Sequence, residues 1–342
     1  MTKFLFEVGE FGLIRMIQDL ITKEGMKAEG LEAGIGDDAA CFSAQPGFDI
    51  LVTCDSLLDG RHFLSDKMSS IEIGCRAMTV NISDIGAMGG RPLFAVVSLG
   101  LKDSIRSEDI LEIYRGFLKE LNPLRASIVG GNITNSPGSF FIDITLIGEV
   151  KRGRLVRRST ARIGDIILVT GYPGEAAAGL NLLMNRSDQE TIKENRLVMA
   201  YKRPSHRALE AKALADSGLV HAMIDTSDGF LGDLGHICEL SHVGAEISRE
   251  RLPVSDALLV EAEGASVDPS ELVLGGSDDY ELIFTCSHER VKEVRSVLDE
   301  FENVPFTEVG KIVDPSEGIR IINRDGTVEN PKLSGWDHFK TR

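Results

Sequence analysis

The chain has 342 residues, 42% apolar and 26% charged, ordinary values for a folded globular protein that exclude disordered and fibrous classes. Its 37 Lys and Arg against 53 Asp and Glu leave a formal charge of −16 and a pI near 4.9, which disfavours binding to nucleic acid or anionic lipid. A protein this negative that handles phosphate needs a cation between itself and its substrate.

At ~150 residues per domain the length predicts two domains. Residues 10–21 read as an amphipathic helix with Phe11, Ile14, Ile17 and Ile21 on one face. Residues 49–54 read as a buried strand ended by Asp55. Ser69-Ser70-Ile71-Glu72 is a capping-box start. The helix after it carries Ile71, Cys75, Met78, Ile82 and Ile85 and stops before Pro92. Strand 93–101, a helix capped by Ser107 and running to about 121, and strands 126–131 and 139–150 follow. The stretch 151–162 (KRGRLVRRSTAR) is the most basic in the chain and marks the expected boundary between domains 1–150 and 151–342. Beyond it come strand 165–170, helix 175–184, helix 205–217 closed by Gly218, strand 222–225, helix 230–241, strand 280–286, helix 289–301 and a tail of short strands. The mixture lacks a strict βαβ rhythm, so α+β is the expected class. Nothing approaches the ~18 apolar residues of a membrane span, and the N-terminus lacks a secretory h-region. The five cysteines form no C-x-x-C and read as reduced thiols, so a cytoplasmic location is expected.

The acidic residues recur beside glycine at predicted strand ends: Asp37 and Asp38 in Gly34-Ile35-Gly36-Asp37-Asp38, Asp55, Asp225 and Asp228 in Asp225-Thr226-Ser227-Asp228-Gly229, and Asp278 and Asp279 after Gly275-Gly276-Ser277. Singly, each is equally compatible with a turn or a helix cap. Asp84 is different, because a carboxylate inside an apolar helix costs several kcal/mol unless paired or metal-bound. One shared site accounts for the set better than independent acidic turns. Gathered carboxylates recruit cations, and hard oxygens without His or Cys suit Mg²⁺, which keeps positions for phosphate oxygens. The pattern points to a Mg-nucleotide, although no P-loop, kinase catalytic loop or G-x-G-x-x-G is present. Gly130-Gly131-Asn132 is placed to approach phosphate. Arg158 suits a phosphate or simply a solvated surface, and His62 suits a substrate contact or a structural role.

Taken together, Gly34-Ile35-Gly36-Asp37-Asp38-Ala39-Ala40, Asp55 through His62-Phe63, Val80-Asn81-Ile82-Ser83-Asp84-Ile85-Gly86-Ala87-Met88-Gly89, Asp225-Thr226-Ser227-Asp228-Gly229, Asp279-Tyr280-Glu281-Leu282 and Gly335-Trp336-Asp337-His338-Phe339 resemble the thiamine-monophosphate kinase family. The resemblance implies a two-domain PurM-like (aminoimidazole ribonucleotide synthetase-related) α+β fold. Its N-terminal domain would dimerise through a barrel-like sheet, and its C-terminal domain would be an α/β sandwich. It implies transfer of a phosphoryl group from ATP to thiamine monophosphate, with ATP between the domains and several Mg²⁺ ions, and a homodimer. Carried over by motif, Asp37, Thr53, Cys54, Asp55, Asp84, Asn132, Asp225 and Asp228 are expected at metal positions. Tyr114, Gly131, Asn132, Arg158 and Ser227 are expected on ATP, and His62, Asp278 and Trp336 on the thiamine phosphate. Direct in-line transfer is expected, with the Mg²⁺ ions and Arg158 carrying most of the catalysis and the aspartates holding the ions, so Asp55, Asp84 and Arg158 are the expected catalytic residues. The family usually has a hydroxyl residue where this chain has Cys54, Asp where it has Asn132, and Glu where it has Asp278. Two alternatives follow: a non-catalytic or weakened nucleotide- or thiamine-phosphate-binding paralogue, and another ATP-dependent synthetase of the PurM-like superfamily.

Overall fold

The computed structural model describes residues 5–26, 29–35, 39–185, 195–302 and 304–331. The chain divides into two compact units, Met1–Gly86 with Gly90–Gly153, and Ala87–Gly89 with Arg154–Arg342.

The first unit opens with helices α1 (Leu5–Val8) and α2 (Glu10–Glu24) and a small ribbon of β1 (Leu31–Ala33) on β2 (Cys41–Phe42). Its body is a four-stranded sheet in the order β3-β6-β4-β5, made of β3 (Phe48–Leu58), β4 (Arg91–Leu101), β5 (Ser127–Asn135) and β6 (Phe141–Lys151). Helices α3 (Ser70–Ala87) and α4 (Ser107–Leu121) supply the rest of the core. The side of α2 that is buried runs through Leu13, Ile17 and Leu20, whereas Phe11 is exposed, so the helix is rotated from the expected stripe. The capping box of α3 forms as expected: Ser69 N donates to Glu72 and Glu72 N donates to Ser69 Oγ. Ser107 is the first residue of α4 rather than its cap.

Strand β3 runs past Asp55 to Leu58, paired on β6 from Phe48↔Lys151 to Leu58↔Phe141. Asp55 is therefore inside a strand, not at its end. It is tolerated there because β3 is an edge strand, alternating half-buried and exposed positions rather than buried on both faces.

Helices α3 and α4 pack at backbone distance. A Cβ on Gly74 would lie 2.1 Å from Ile113 O, and one on Gly116 would lie 2.4 Å from Ile71 O. Two glycines facing each other thus let Met78, Ile82, Ile85, Ile113 and Phe117 be almost wholly buried.

The second unit holds a seven-stranded sheet in the order β13-β12-β9-β11-β7-β10-β8. Its elements in chain order are β7 (Ile166–Thr170), α5 (Glu175–Asn185), α6 (Arg196–Lys202), α7 (Ala208–Ser217), β8 (Val220–Asp225), α8 (Phe230–Ser241) and β9 (Gly244–Ser248). Then follow α9 (Asp256–Ala265), α10 (Pro269–Leu274), β10 (Leu282–Cys286), α11 (Val291–Leu298), β11 (Phe306–Val313), β12 (Ile319–Ile322) and β13 (Val328–Glu329). The central strands β7 and β10 are near-continuous apolar runs buried on both faces. Gly218 closes α7 with φ 69°, the left-handed cap expected from sequence. Among the described residues no helix is long and apolar enough to cross a membrane.

Gly116→Ala should lower stability by about 1–3 kcal/mol, the usual cost of overpacking, because backbone cannot yield as a side chain can. An unchanged melting temperature would contradict this packing.

Candidate functional site

In the first unit the pleat of β3 sorts the expected ligands. Thr53 Oγ1 donates to Asp84 Oδ2 at 2.5 Å, tying β3 to α3. Asp55, two residues on, shares that face. Both aspartates are half-buried, with Asp55 Oδ2 itself buried. The structure thus gathers Thr53, Asp55 and Asp84 on the helix side of the sheet, a set made only of hard oxygen donors, which suits Mg²⁺.

Cys54 and Asn132 fall on the other face. Cys54 Sγ lies 3.6 Å from Asp143 Oδ1 and accepts from Thr145 Oγ1 at 3.5 Å, and Ser56 Oγ also donates to Asp143. Ladder register aligns Ser56, Asp143, Ser98 and Asn132 in one row across the four strands. Two of the expected metal positions therefore do not join Asp55 and Asp84 through their side chains. The cause is the two-residue period of the strand.

Gly131 has a packing reason of its own, since a Cβ there would meet Val97 O at 2.1 Å. Tyr114, expected near an adenine, is a core residue, 3% exposed, with its ring packed edge to face on Phe117 at 5.1 Å. Burial pushes its phenol pKa up. His62 is half-buried in the turn after β3. Its Nδ1 accepts from Leu58 N at 3.0 Å, and its carbonyl accepts from Arg76 Nε at 2.9 Å. A cavity of about 660 Å³ borders this turn, lined by Asp59, Ser65, Ser69, Lys102, Arg106 and Ile113 among others; none of the expected metal ligands lines it. Asp37 and Trp336 lie outside the described residues.

In the second unit Asp225, 1% exposed, ends β8, and residues 226–229 turn into α8. Thr226 is stitched to β10: its N donates to Glu281 O, its Oγ1 accepts from Glu281 N, and its O accepts from Tyr280 N, at 2.7–3.0 Å. These bonds hold Tyr280 in the left-handed region at φ 57°. Glu281 is held in turn by a bidentate pair with Arg207 at 2.6 Å and by Thr170 Oγ1.

Asp233, in the first turn of α8, accepts at Oδ2 from the amides of Ser227, Asp228 and Gly229, each at 3.0 Å. Burial, then the charges of Asp225 and Asp228, pushes the Asp233 carboxyl up to about 8. Asp228, Asp233 and His236 bring donor atoms within 4.8 Å of one another.

Gly229 has φ 105°, and a Cβ there would lie 2.3 Å from Gly275 O, so the two glycine-acid motifs of this unit touch. Beside them, Ser277 Oγ and both Asp279 oxygens accept from amides at the start of α5, leaving Asp278 half-buried between them. Arg158 is fixed through its backbone, its carbonyl accepting from Ser241 Oγ at 2.8 Å. Among the described residues its guanidinium has no carboxylate partner.

Sequence reasoning missed Asp233 and Arg207. The signal for Asp233 was its place four residues after Gly229, from which a first-turn carboxylate reaches back to loop amides. Arg207 showed only an ordinary i,i+3 pairing with Glu210, because its bidentate partner Glu281 is 74 residues away.

Family models for the AIR synthase related protein N-terminal and C-terminal domains match residues 36–150 and 162–323. Thiamine-monophosphate kinase of Escherichia coli (strain K12) is 37% identical over 338 residues, covering 97% of this chain and 99% of that one. A crystal structure of thiamine-monophosphate kinase from Stenotrophomonas maltophilia K279a aligns with TM-score 0.79 at 31% identity, over 93% of this chain and 97% of that one. A structure described as AaThiL complexed with AMPPCP and TMP aligns with TM-score 0.75 at 33% identity, over 99% and 100%.

The Asp279 carboxyl is pushed up to about 7, with burial the largest cause and its amide bonds opposing. The folded chain thus keeps a proton that the unfolded chain releases near pH 4. This group's contribution to stability is full below that value and is lost as pH rises through about 7. Compared with Asp279→Asn, the native protein should lose melting temperature between pH 5 and pH 8; a pH-independent difference would contradict the shift.

Proposed function

Because the chain belongs to the thiamine-monophosphate kinase family, built from AIR synthase related N- and C-terminal domains, we propose that it phosphorylates thiamine monophosphate with ATP, giving thiamine diphosphate and ADP. The observation that carries the reading is the all-oxygen donor set of Thr53, Asp55 and Asp84, found in a chain that aligns with the named kinases over nearly its whole length.

Asp55 and Asp84 would hold Mg²⁺ in the first unit, and Asp225 and Asp228 in the second. When bound, Mg²⁺ neutralises polyphosphate charge that a protein of charge −16 would otherwise repel. Cys54 and Asn132 are left out of the donor set because their side chains lie across the sheet from it. For the same reason they lend little weight to a weakened paralogue.

The reaction is read as direct and in line: an oxygen of the substrate phosphate attacks the γ-phosphorus as its bond to the β-bridging oxygen breaks, and ADP leaves. A phosphate monoester is largely dianionic near neutral pH, so no strong general base is required. Arg158 supplies positive charge to the phosphates, supported by its guanidinium having no carboxylate partner among the described residues. Ser227 contacts ATP from an exposed turn. His62 and Asp278 contact the substrate, and the cavity beside the His62 turn is of a size that takes a small organic body.

A second copy of the chain is the proposed cover for the open face of the first unit's sheet. On β3 this face exposes Ile50, Val52 and Leu58, with Val52 65% exposed.

Supplied with ATP, Mg²⁺ and thiamine monophosphate, the protein should form thiamine diphosphate, with free thiamine inert as acceptor. Asp55→Ala or Asp84→Ala should reduce turnover by about a hundredfold or more without unfolding the protein. Near-normal activity in either would defeat the donor set. Val52→Glu should convert a dimer to a monomer in light scattering, and an unchanged mass would defeat the proposed interface.

A further inference from the structure

We propose that Asp233 is a positioning residue: its carboxylate fills an anion nest formed by the 227–229 amides and thereby fixes Ser227 and Asp228 for a Mg-nucleotide. This rests on the kinase reading above.

Three consecutive amides converging on one oxygen is the arrangement with which turns at helix N-termini hold a phosphate oxygen. Here the oxygen is Asp233 Oδ2, 3.0 Å from each amide, on a side chain 2% exposed. The amides of this turn are thus already engaged and are not offered to a nucleotide. What the turn offers instead is the exposed Ser227 and the half-buried Asp228, directly after Asp225. A chain without a P-loop would then meet polyphosphate through cations held by carboxylates rather than through backbone dipoles.

The turn has no slack on its other side, where Gly229 runs at φ 105° against the 275–277 backbone. Removing the Asp233 carboxylate would leave three converging dipoles unsatisfied in a turn that cannot shift toward α10, so the outward side chains would lose their orientation.

The rival role is capping of α8 alone. Loss of a cap lowers stability and leaves the Mg²⁺ requirement where it was.

The test uses the full chain and measures ATP binding by equilibrium dialysis across a Mg²⁺ titration, beside thiamine monophosphate binding and thermal unfolding. In Asp233→Ala the Mg²⁺ midpoint for ATP binding should rise about 10- to 100-fold, thiamine monophosphate affinity should stay within about twofold, and formate should restore ATP binding by re-entering the nest. Asp233→Asn, which keeps an oxygen but no charge, should shift the midpoint by roughly threefold or more. A native Mg²⁺ midpoint in Asp233→Ala overturns the proposal, as does a fall in melting temperature with no movement of the midpoint. Should Asp233→Ala not fold, an Asp233→Asn midpoint within about twofold of native overturns it. A native chain that binds no ATP at any Mg²⁺ concentration instead defeats the kinase reading, and this inference with it.

Discussion

Three carboxylates, Asp225 at the end of β8, Asp228 in the turn that follows and Asp233 in the first turn of α8, lie close enough that two of them raise the pKa of the third. Like charges in such a space protonate, separate or attract a cation. The turn cannot separate them, because Thr226 is bonded to β10 on one side and Gly229 is pressed against Gly275 on the other. Asp233 is partly relieved by its three amides. Asp225 and Asp228 add negative charge beside it, which is why a cation is the proposed complement to this end of the second unit's sheet.

Packing delivers these groups on rigid elements rather than on loose loops. In the first unit, backbone contact between α3 and α4 at Gly74 and Gly116 fixes the helix from which Asp84 reaches Thr53 on β3. In the second, the buried pair of Glu281 and Arg207 anchors the strand end to which Thr226 is stitched. Both follow one logic: an apolar core strand or helix carries an acidic residue to its margin, and a hydroxyl neighbour, Thr53 or Thr226, ties that margin to the next element. Such ties keep oxygen donors in place against their mutual repulsion.

Much of this was legible in the sequence. Helices α2 to α5, α7, α8 and α11 were anticipated, while α1 and α6 were not, and the capping box at Ser69 and Glu72 and the closing Gly218 formed as their chemistry dictates. The Asp225 turn and the Asp84 helix were singled out because acid beside glycine, or inside an apolar helix, is costly without a purpose. What escaped was non-local or set by pleat. Asp55 looked like a strand terminus because a run of apolar residues ended there, yet the ladder with β6 continued to Leu58. Consecutive residues Thr53, Cys54 and Asp55 looked like one ligand group, but alternation sends Cys54 to the opposite face. Tyr114 fell on the buried side of α4, on the stripe of Ile110, Ile113, Phe117 and Leu121 that its apolar period already marks. The 244–248 strand and the helices at 256–265 and 269–274 were passed over, lying among charged and turn-forming residues that mask their period.

The central claim is that this acidic chain meets the phosphates of ATP chiefly through divalent cations held by its carboxylates, with Arg158 adding to their charge. Calorimetric titration of ATP into the native protein, with Mg²⁺ and again with a chelator, tests it most directly. The account predicts saturable binding with Mg²⁺ and an affinity lower by about a hundredfold or more without it. Equal affinity in the chelator would contradict it.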